Sequence, residues 1–263
     1  MTTQQNLPKI IKCQNFKTDK MTFSEFNTKN QRNVSQMICF PYYDNTDTTF
    51  NLIFKTDPIK ITQYGIPKIG PKTADFIKSD QDREYIKIPY DVSQPNSVEL
   101  FKMLESIDKY MPTIQDKIFG TKSKQYKYSP IIKEPREEED DDQKSKDKMK
   151  YVKIKFDTDF NNDRQISTSI FINNEFGKPV HVENIKTVSD VAEHVTWNGT
   201  IRLIIIVNKL WAAKTAKKKD DLKEYSLSLK ALQIVVTEKS SNPSSIKNAL
   251  KNSFAFGEID EKK

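Results

Sequence analysis

The chain has few of the residues on which catalytic, metal and disulfide-bonded sites depend. Its 263 residues include 2 cysteines, Cys13 and Cys39, and 2 histidines, His181 and His194. Two cysteines so far apart, in a chain that starts with a polar segment, favour reduced thiols over a disulfide framework. Neither histidine has a cysteine or a second histidine at metal-ligand spacing, so the sequence predicts no metal site.

Glycine is equally scarce, and its 6 residues form no glycine-rich phosphate loop. No nucleophile elbow and no pair of catalytic carboxylates stands out. Asp157, Asp159 and Asp163 are spaced loosely like a calcium loop, but the central glycine and the closing glutamate are missing, which favours a polar turn. We therefore expect a protein that is not an enzyme and that uses no cofactor.

Long hydrophobic runs are absent as well. No apolar stretch approaches the roughly 20 residues that cross a bilayer, so we expect an intracellular protein with no membrane partner. Charge is abundant, and 43 Lys and Arg against 36 Asp and Glu give a net charge of +7. This balance favours a polyanionic partner, because clustered cations release counterions from phosphates.

What the sequence contains is a series of short runs rich in β-branched and aromatic residues, which are typical of strands. Residues 151–156 and 165–172 alternate between apolar and polar side chains, and residues 200–210 are the most apolar run, as expected of a central strand. Weaker strand signals occur at residues 34–40, 49–55, 59–62, 84–88, 126–132 and 178–182.

The last predicted strand, residues 225–236, changes phase along its length. Its first half directs Tyr225 and every second residue after it inward, whereas the second half directs the alternate set inward. The change near Lys230 and Ala231 predicts a β-bulge, a common feature where barrels bend.

Two segments have the spacing of helices. Residues 97–110 carry a helical apolar face, with Asn96 or Ser97 as a possible N-cap and Pro112 as the end. A shorter helix is expected between Val188 and Val195. Several strands with one or two inserted helices predict a mainly β fold, a small closed or half-closed barrel, in a single domain at residues 22–238.

Two segments differ from the rest of the chain. Residues 134–150 include six consecutive acidic residues and predict a flexible acidic insertion, which either mimics phosphate at the basic site or is simply solvated. Residues 239–263 predict a mobile C-terminal tail. Its acidic and aromatic part, residues 254–261, either docks on replication proteins or is disordered, and the final Lys262 and Lys263 reduce its negative charge.

The outward faces of the predicted strands combine aromatic rings with cations. Bases stack on such rings while ammonium and guanidinium groups follow the phosphates, and each stacked base contributes roughly 1–3 kcal/mol. The alternative is an ordinary solvated sheet face. The candidate nucleic-acid-binding residues on this face are Tyr151, Lys153, Lys155, Phe171, Arg202 and Lys230.

A second candidate is the basic segment 208–223 between the two strongest strands. A long basic loop at the mouth of a barrel can clamp a phosphate backbone, although a lysine loop without a partner is the alternative. Trp211, like Trp197, is either a core anchor or a stacking platform. The candidate residues of this segment are Lys209, Trp211, Lys214, Lys217, Lys218 and Lys219.

Three segments carry a resemblance to a known family. They are Lys150-Tyr-Val-Lys-Ile-Lys-Phe, Leu203-Ile-Ile-Ile-Val-Asn-Lys-Leu-Trp and Tyr225-Ser-Leu-Ser-Leu-Lys-Ala-Leu-Gln-Ile-Val-Val. This half of the chain resembles single-stranded DNA-binding proteins of large eukaryotic DNA viruses, which are similar to the OB-fold single-strand-binding proteins of tailed phages.

The resemblance implies an OB-fold and sequence-independent protection of exposed strands during viral replication, recombination or repair. It also implies that Lys209, Trp211, Tyr225 and Lys230 lie at or near the strand-binding cleft. The compartment would be the host cytoplasm, in a viral factory, or the nucleus.

The leading hypothesis is therefore single-stranded DNA binding by stacking and phosphate contacts. One alternative is a structural or scaffolding protein of a virion or replication complex, whose lysines only keep it soluble. Another is an RNA-binding regulator that reads the 2′-hydroxyl. An oligomer is compatible with each hypothesis.

Overall fold

The computed structural model describes residues 9–27, 35–45, 48–71, 73–135, 148–219 and 221–239. The expectations for the acidic run at 137–142 and for the tail segment 254–261 concern residues outside these ranges. The strands are Ile11–Lys12 (β1), Met21–Phe23 (β2), Gln36–Cys39 (β3), Pro41–Asn45 (β4), Thr48–Asn51 (β5), Ile53–Lys55 (β6), Ile59–Lys60 (β7), Tyr85–Pro89 (β8), Tyr126–Tyr128 (β9), Ile132–Lys133 (β10), Tyr151–Phe156 (β11), Thr158–Asp159 (β12), Gln165–Ile166 (β13), Ser169–Asn173 (β14), Pro179–His181 (β15), Thr200–Ala213 (β16) and Lys223–Glu238 (β17). The helices are Pro95–Thr113 (α1), Gln115–Phe119 (α2) and Val188–His194 (α3), and short 3-10 helices cover Cys13–Asn15, Thr18–Lys20, Asp80–Arg83 and Gly120–Gln125.

Two long strands, β16 and β17, form an antiparallel hairpin that organises the main sheet. The hairpin is paired from Thr200 opposite Glu238 to Ala212 opposite Tyr225. Along its other edge, β16 bonds in turn to β7, β6 and β3. From the same end of the hairpin, β17 bonds in turn to β14, β11 and β9. The sheet curls into a half-barrel as these partners change.

Strand β17 contains the bulge that its sequence predicts. Ile204 lies opposite Gln233 but Ile205 lies opposite Ala231, so the intervening Leu232 has no partner in β16. Ala231 is buried before this point and Ile234 after it, which is a change of apolar phase. The predicted bulge is confirmed, one residue beyond its expected place.

Helix α1 packs its apolar face into the same core as the strands. Leu100, Phe101, Leu104, Ile107 and Met111 are all buried in that core. Their spacing of three and four residues aligns them on one side of the helix. The predicted helix is therefore confirmed as an element of the core.

The ends of α1 differ from those expected. Pro95 begins the helix, because its fixed φ and missing N–H suit the first turn. The N-cap is therefore Gln94 rather than Asn96 or Ser97, and no side chain caps the helix there. Pro112 lies inside the last turn, and the helix ends one residue beyond it.

The predicted helix between Val188 and Val195 is confirmed as α3. Its N-cap is Thr187, whose hydroxyl accepts a hydrogen bond from the Asp190 amide at 3.2 Å. The Asp190 carboxylate in turn accepts from the Thr187 amide at 2.8 Å. This reciprocal pair is a capping box, and it sets where the helix begins.

One continuous core holds these elements together and confirms a mainly β, barrel-like fold with few helices. It extends upstream of residue 22, since Ile11 is buried and pairs with Phe54. Cys13 and Cys39 are buried free thiols, and burial raises the pKa of each to about 12. Among the described residues, no helix has the length and apolar character to span a membrane.

Candidate nucleic-acid interface

Strand β11 turns two lysines away from the core. Val152, Ile154 and Phe156 are buried, so the alternation of the strand directs Lys153 and Lys155 to the outer face of the sheet. Both lysines are exposed, as the sequence predicted.

The central hairpin adds a lysine and a tryptophan to the same face. Lys209 lies opposite Ser228, and Trp211 lies opposite Ser226. A register shift directly before Lys209 lets both side chains face outward, two residues apart. Together with β10 and β11 they form a hollow of about 320 Å³, here called the lysine groove. It is lined by Lys133, Lys153, Lys155, Lys209, Trp211, Gln36, Ile131 and residues 226–229.

The lysines of this groove repel one another. The pKa of Lys153 is lowered to about 8, by burial first and then by Lys155 and Lys87. The pKa of Lys209 is lowered by burial, then by Lys155 and Lys230. Among the described residues, no carboxylate forms an ion pair with Lys153, Lys155 or Lys209. A bound anion would supply the missing negative charge.

Lys133 completes the groove from a neighbouring segment. Its ammonium donates to the Ser129 hydroxyl at 3.0 Å. The segment is held by Asp108, whose carboxylate accepts hydrogen bonds from the Tyr128 hydroxyl at 2.7 Å and from the amide of Ile131 at 2.8 Å. Burial lowers the pKa of Lys133, although Asp108 acts in the opposite direction. The helix that carries Asp108 therefore positions one cation of the groove.

A second hollow, here called the aromatic pocket, lies beside the lysine groove. The Tyr64 and Tyr151 rings are 5.0 Å apart, between centroids. The Lys87 ammonium lies 4.5 Å from the centroid of Tyr151, and the Lys153 ammonium lies 3.6 Å from that of Tyr85. The pocket has a volume of about 480 Å³ and is lined by Tyr64, Pro67, Thr73, Phe76, Ile77, Asp82, Tyr85, Lys87, Pro135, Lys148, Tyr151 and Lys153.

Strand pairing and one tight turn position the aromatic rings. In the antiparallel pair of β8 and β11, Tyr85 lies opposite Lys155 and Lys87 lies opposite Lys153. The Tyr64 backbone has a φ of 64°, and the Gly65 that follows has a φ of 80°. Gly65 exchanges two backbone hydrogen bonds with Lys87, at 3.0 and 3.1 Å, which hold the turn against β8.

Lys153 lines both hollows, so they form one continuous surface that we call the basic cleft. At one end the basic cleft offers aromatic rings with ammonium groups on their faces. At the other end it offers the half-buried Lys133 and Lys209, the exposed Lys155, and Trp211. Rings for bases next to cations for phosphates are the two components of sequence-independent binding to a single strand.

Trp211 and Trp197 are both outside the core. Trp211 is half-buried in the lysine groove, and Trp197 is 60% exposed, with its indole N–H donating to the Thr62 carbonyl at 3.1 Å. Trp197 lines neither hollow. Of the two interpretations, the core anchor is therefore wrong for both residues.

Three predicted residues lie on the same sheet but outside the basic cleft. Phe171 and Arg202 both pair with Val235, at the far end of the hairpin, and the Phe171 ring packs on His181 with centroids 5.1 Å apart. Lys230 forms an ion pair with Asp157 at 2.5 Å and lines neither hollow.

The basic loop between β16 and β17 forms a separate, open surface beside the lysine groove. Lys217 pairs with Glu224 at 2.8 Å, and its charge contributes to lowering the pKa of Lys133. The loop therefore lies within electrostatic reach of the groove without lining it. The predicted residues on this surface are Lys214, Lys217, Lys218 and Lys219.

Tyr225 does not reach the basic cleft. Its side chain is 0% exposed, and its hydroxyl donates to the Met111 carbonyl at 3.1 Å. Its ring packs against those of Tyr128 and Phe119, with centroids 5.2 and 4.9 Å apart. The assignment of Tyr225 to the strand-binding surface is therefore wrong, because every part of the ring faces the core.

The carboxylates that follow β11 are bonded to other groups of this chain. Asp157 pairs with Lys230, and the Asp159 carboxylate accepts from the Asn161 amide at 2.9 Å within the turn between β12 and β13. In the part of the chain that the structure describes, no three His, Cys, Asp or Glu side chains are grouped as metal ligands would be.

Sequence reasoning missed most of the aromatic pocket, of whose lining it predicted only Tyr151 and Lys153. Tyr85 and Lys87 alternate with buried isoleucines in the same way as the residues of β11, so the outward face of β8 carries the signal that could have found them. Tyr64 and Phe76 lie in loops, where no periodicity marks a residue as part of a site. Lys133 ends a two-residue strand and offers no pattern either.

Fold and cleft define a mainly β protein with a basic, aromatic-lined surface. No family model matches the chain. An uncharacterized protein of Acanthamoeba polyphaga mimivirus is 32% identical to it over 238 residues, covering 82% of this chain and 57% of the viral protein. The chain thus spans a little over half the length of the relative it matches.

Proposed function

We propose that the chain binds single-stranded nucleic acid along the basic cleft, without sequence preference and without catalysis. The observation that carries this proposal is the position of Lys153, which joins a pocket of tyrosine rings to a groove of mutually repelling lysines. Phosphates would relieve the repulsion, and the adjacent rings would stack on bases.

The preference for a single strand follows from access to the bases. In a duplex the faces of the bases are stacked on one another, and only phosphates and groove edges are presented to a protein. The rings of Tyr64, Tyr85 and Tyr151 cannot stack on the bases of such a partner. A duplex would therefore gain from the lysines alone.

The similarity to an uncharacterized mimivirus protein supports a viral origin, and for a single-strand-binding protein of a virus the proposed role is in DNA replication, recombination or repair. Exposed single strands arise in all three processes and need protection. Replication proteins are then the natural protein partners, and the host cytoplasm or nucleus is the compartment. DNA is the expected ligand, and RNA is the alternative that stacking and phosphate contacts also allow.

The test is fluorescence anisotropy with labelled random-sequence oligonucleotides, single-stranded and double-stranded, over a series of salt concentrations. We expect a strong single-strand preference and an affinity that falls steeply with salt, by about 0.7 logarithmic units per logarithmic unit of salt for each neutralised phosphate. An RNA of equal length and sequence decides between the two ligands.

A pair of charge-matched variants connects the binding to the cleft. The double variant Lys155→Gln with Lys209→Gln should weaken single-strand binding and reduce the salt slope by about 1.4. The control carries Lys178→Gln and Lys186→Gln, two exposed lysines outside the cleft, and should bind like the wild type. Absence of saturable binding at physiological salt, or equal weak binding to duplex, would contradict the proposal and favour a scaffolding role.

A further inference from the structure

The ring faces of the aromatic pocket are covered by ammonium groups. The Lys153 ammonium lies 3.6 Å from the centroid of Tyr85, and the Lys87 ammonium lies 4.5 Å from that of Tyr151 and 5.7 Å from that of Tyr64. All three distances are within the roughly 6 Å over which a cation is attracted to a ring. A base can reach the Tyr85 face only when Lys153 leaves it.

Lys153 has an alternative place for its ammonium. It lines the lysine groove as well as the aromatic pocket, and Lys155 is two residues along the same strand. A phosphate in the groove offers a charge-assisted hydrogen bond, which is stronger than an exposed cation–π contact. The four-carbon stem of a lysine allows this movement without a change of the backbone.

We propose that the aromatic pocket captures one unpaired nucleobase, which replaces the Lys153 ammonium on the Tyr85 ring while that ammonium moves to the adjacent phosphate. This inference rests on the proposed function and names what the pocket adds to it. The lysine groove holds the backbone, and the pocket holds a base turned out of its path.

The size and lining of the pocket suit a base. Its volume of about 480 Å³ is in the range of pockets for small ligands, about 300–1,000 Å³. Phe76, which is 77% exposed, adds a fourth ring to those of Tyr64, Tyr85 and Tyr151. A strand held by the groove presents its bases to the pocket at high effective concentration, which a free small molecule does not.

The test separates contacts with bases from contacts with phosphates. Affinity of the full chain is measured for an ordinary single strand and for an abasic strand of equal length and charge. The variant Tyr85→Leu keeps an apolar side chain but removes the ring face. It should weaken binding of the ordinary strand about fivefold to a hundredfold and leave binding of the abasic strand unchanged.

Two controls accompany this variant. Tyr85→Phe retains the ring and should restore the affinity for the ordinary strand. Phe176→Leu removes an aromatic side chain that is 84% exposed outside the cleft, and should change neither affinity. Equal losses for both strands, or no loss for either, would overturn base capture while leaving single-strand binding intact. No binding of the wild type to either strand would instead overturn the proposed function.

The movement of Lys153 has its own readout. A lysine over a tyrosine face has its ε-methylene protons shifted upfield by the ring current, so that the Lys153 signals are displaced in the free protein. We expect the displacement to disappear when the ordinary strand binds. Retention of the shifted signals in the saturated complex would mean that the ammonium stays on Tyr85 and that no base replaces it.

Discussion

The Lys153 ammonium is the group at which charge and stacking meet. Burial and the charges of Lys155 and Lys87 lower its pKa to about 8, so part of its charge is already lost in mildly alkaline solution. A phosphate beside it favours the charged form and raises the pKa again. Binding therefore takes up protons above about pH 8 and weakens as the pH rises.

We therefore predict that single-strand affinity depends on pH and that Lys153 causes much of this dependence. Single-strand affinity, measured at constant ionic strength between about pH 7 and about pH 9.5, should fall as Lys153 loses its proton. The variant Lys153→Arg should bind with a shallower dependence, because a guanidinium remains charged throughout this range. Tyr64 and Tyr85 stay neutral, since burial raises the pKa of both.

Lys209 contributes in the same direction, because its pKa is also lowered. Some pH dependence should therefore remain in the Lys153→Arg variant. Identical pH profiles for the two proteins would show that Lys153 does not contact the bound strand.

At the scale of an element, strand β11 uses alternation to keep stability and binding on opposite faces. Val152, Ile154 and Phe156 are buried and pack in the core, whereas Lys153 and Lys155 repel their neighbours on the outer face. Like charges in a groove reduce stability, and natural proteins retain such costs where function needs them. The strand thus carries both a stabilising and a destabilising set of residues.

Removal of the Lys155 charge should therefore stabilise the protein and weaken its binding to a single strand. Lys155 lowers the pKa of both Lys153 and Lys209, so Lys155→Gln relieves two repulsions at once. We expect the melting temperature to rise by about 1–3 °C at low salt and the difference to shrink at high salt, where the charges are screened. The measurement is thermal unfolding of both proteins at the two salt concentrations.

Lys178→Gln is the matched control, because it removes one exposed lysine that has no role in the cleft. It should leave the melting temperature unchanged at either salt concentration. A melting temperature of the Lys155→Gln variant that is lowered, or raised equally at both salts, would mean that Lys155 makes favourable contacts instead.

The same strands show what a local pattern can predict. Alternation predicted β11 and β17, because burial of every second residue leaves a direct mark on the sequence, and the most apolar run of the chain predicted β16. Alternation also directed Tyr225 inward, and the structure agrees. The resemblance to viral single-strand-binding proteins placed the same residue at a cleft. For this residue the periodicity was the better guide, because it reports the local burial of this chain.

At the scale of the whole molecule, the basic cleft is assembled from segments that are far apart in the chain. Tyr64 and Phe76 lie in loops before β8, Tyr151 begins β11, and Lys209 comes from β16. Only tertiary pairing brings them together. Periodicity could therefore predict Lys153 and Lys155, which alternate with buried residues along β11, but not Lys133 or the loop residues of the aromatic pocket.

The charge of the whole molecule extends beyond the cleft. The loop between β16 and β17 carries exposed lysines. The charge of one of them, Lys217, contributes to the lowered pKa of Lys133 in the lysine groove. A strand that leaves the groove near Trp211 would pass this loop. Its lysines would then contribute to affinity through phosphates alone, since none of the described residues that line this surface is aromatic.

The triple variant Lys217→Ala, Lys218→Ala and Lys219→Ala tests whether the bound strand extends that far. If these lysines neutralise three phosphates of a single strand, their removal should lower the salt slope by about 2, together with the affinity. The charge-matched control, Lys60→Ala with Lys178→Ala and Lys186→Ala, should lower the slope far less, because its lysines are dispersed over exposed surface. If the slope of the loop variant equals that of the wild type, the path of the strand ends at Trp211 and the loop acts only through its distant field.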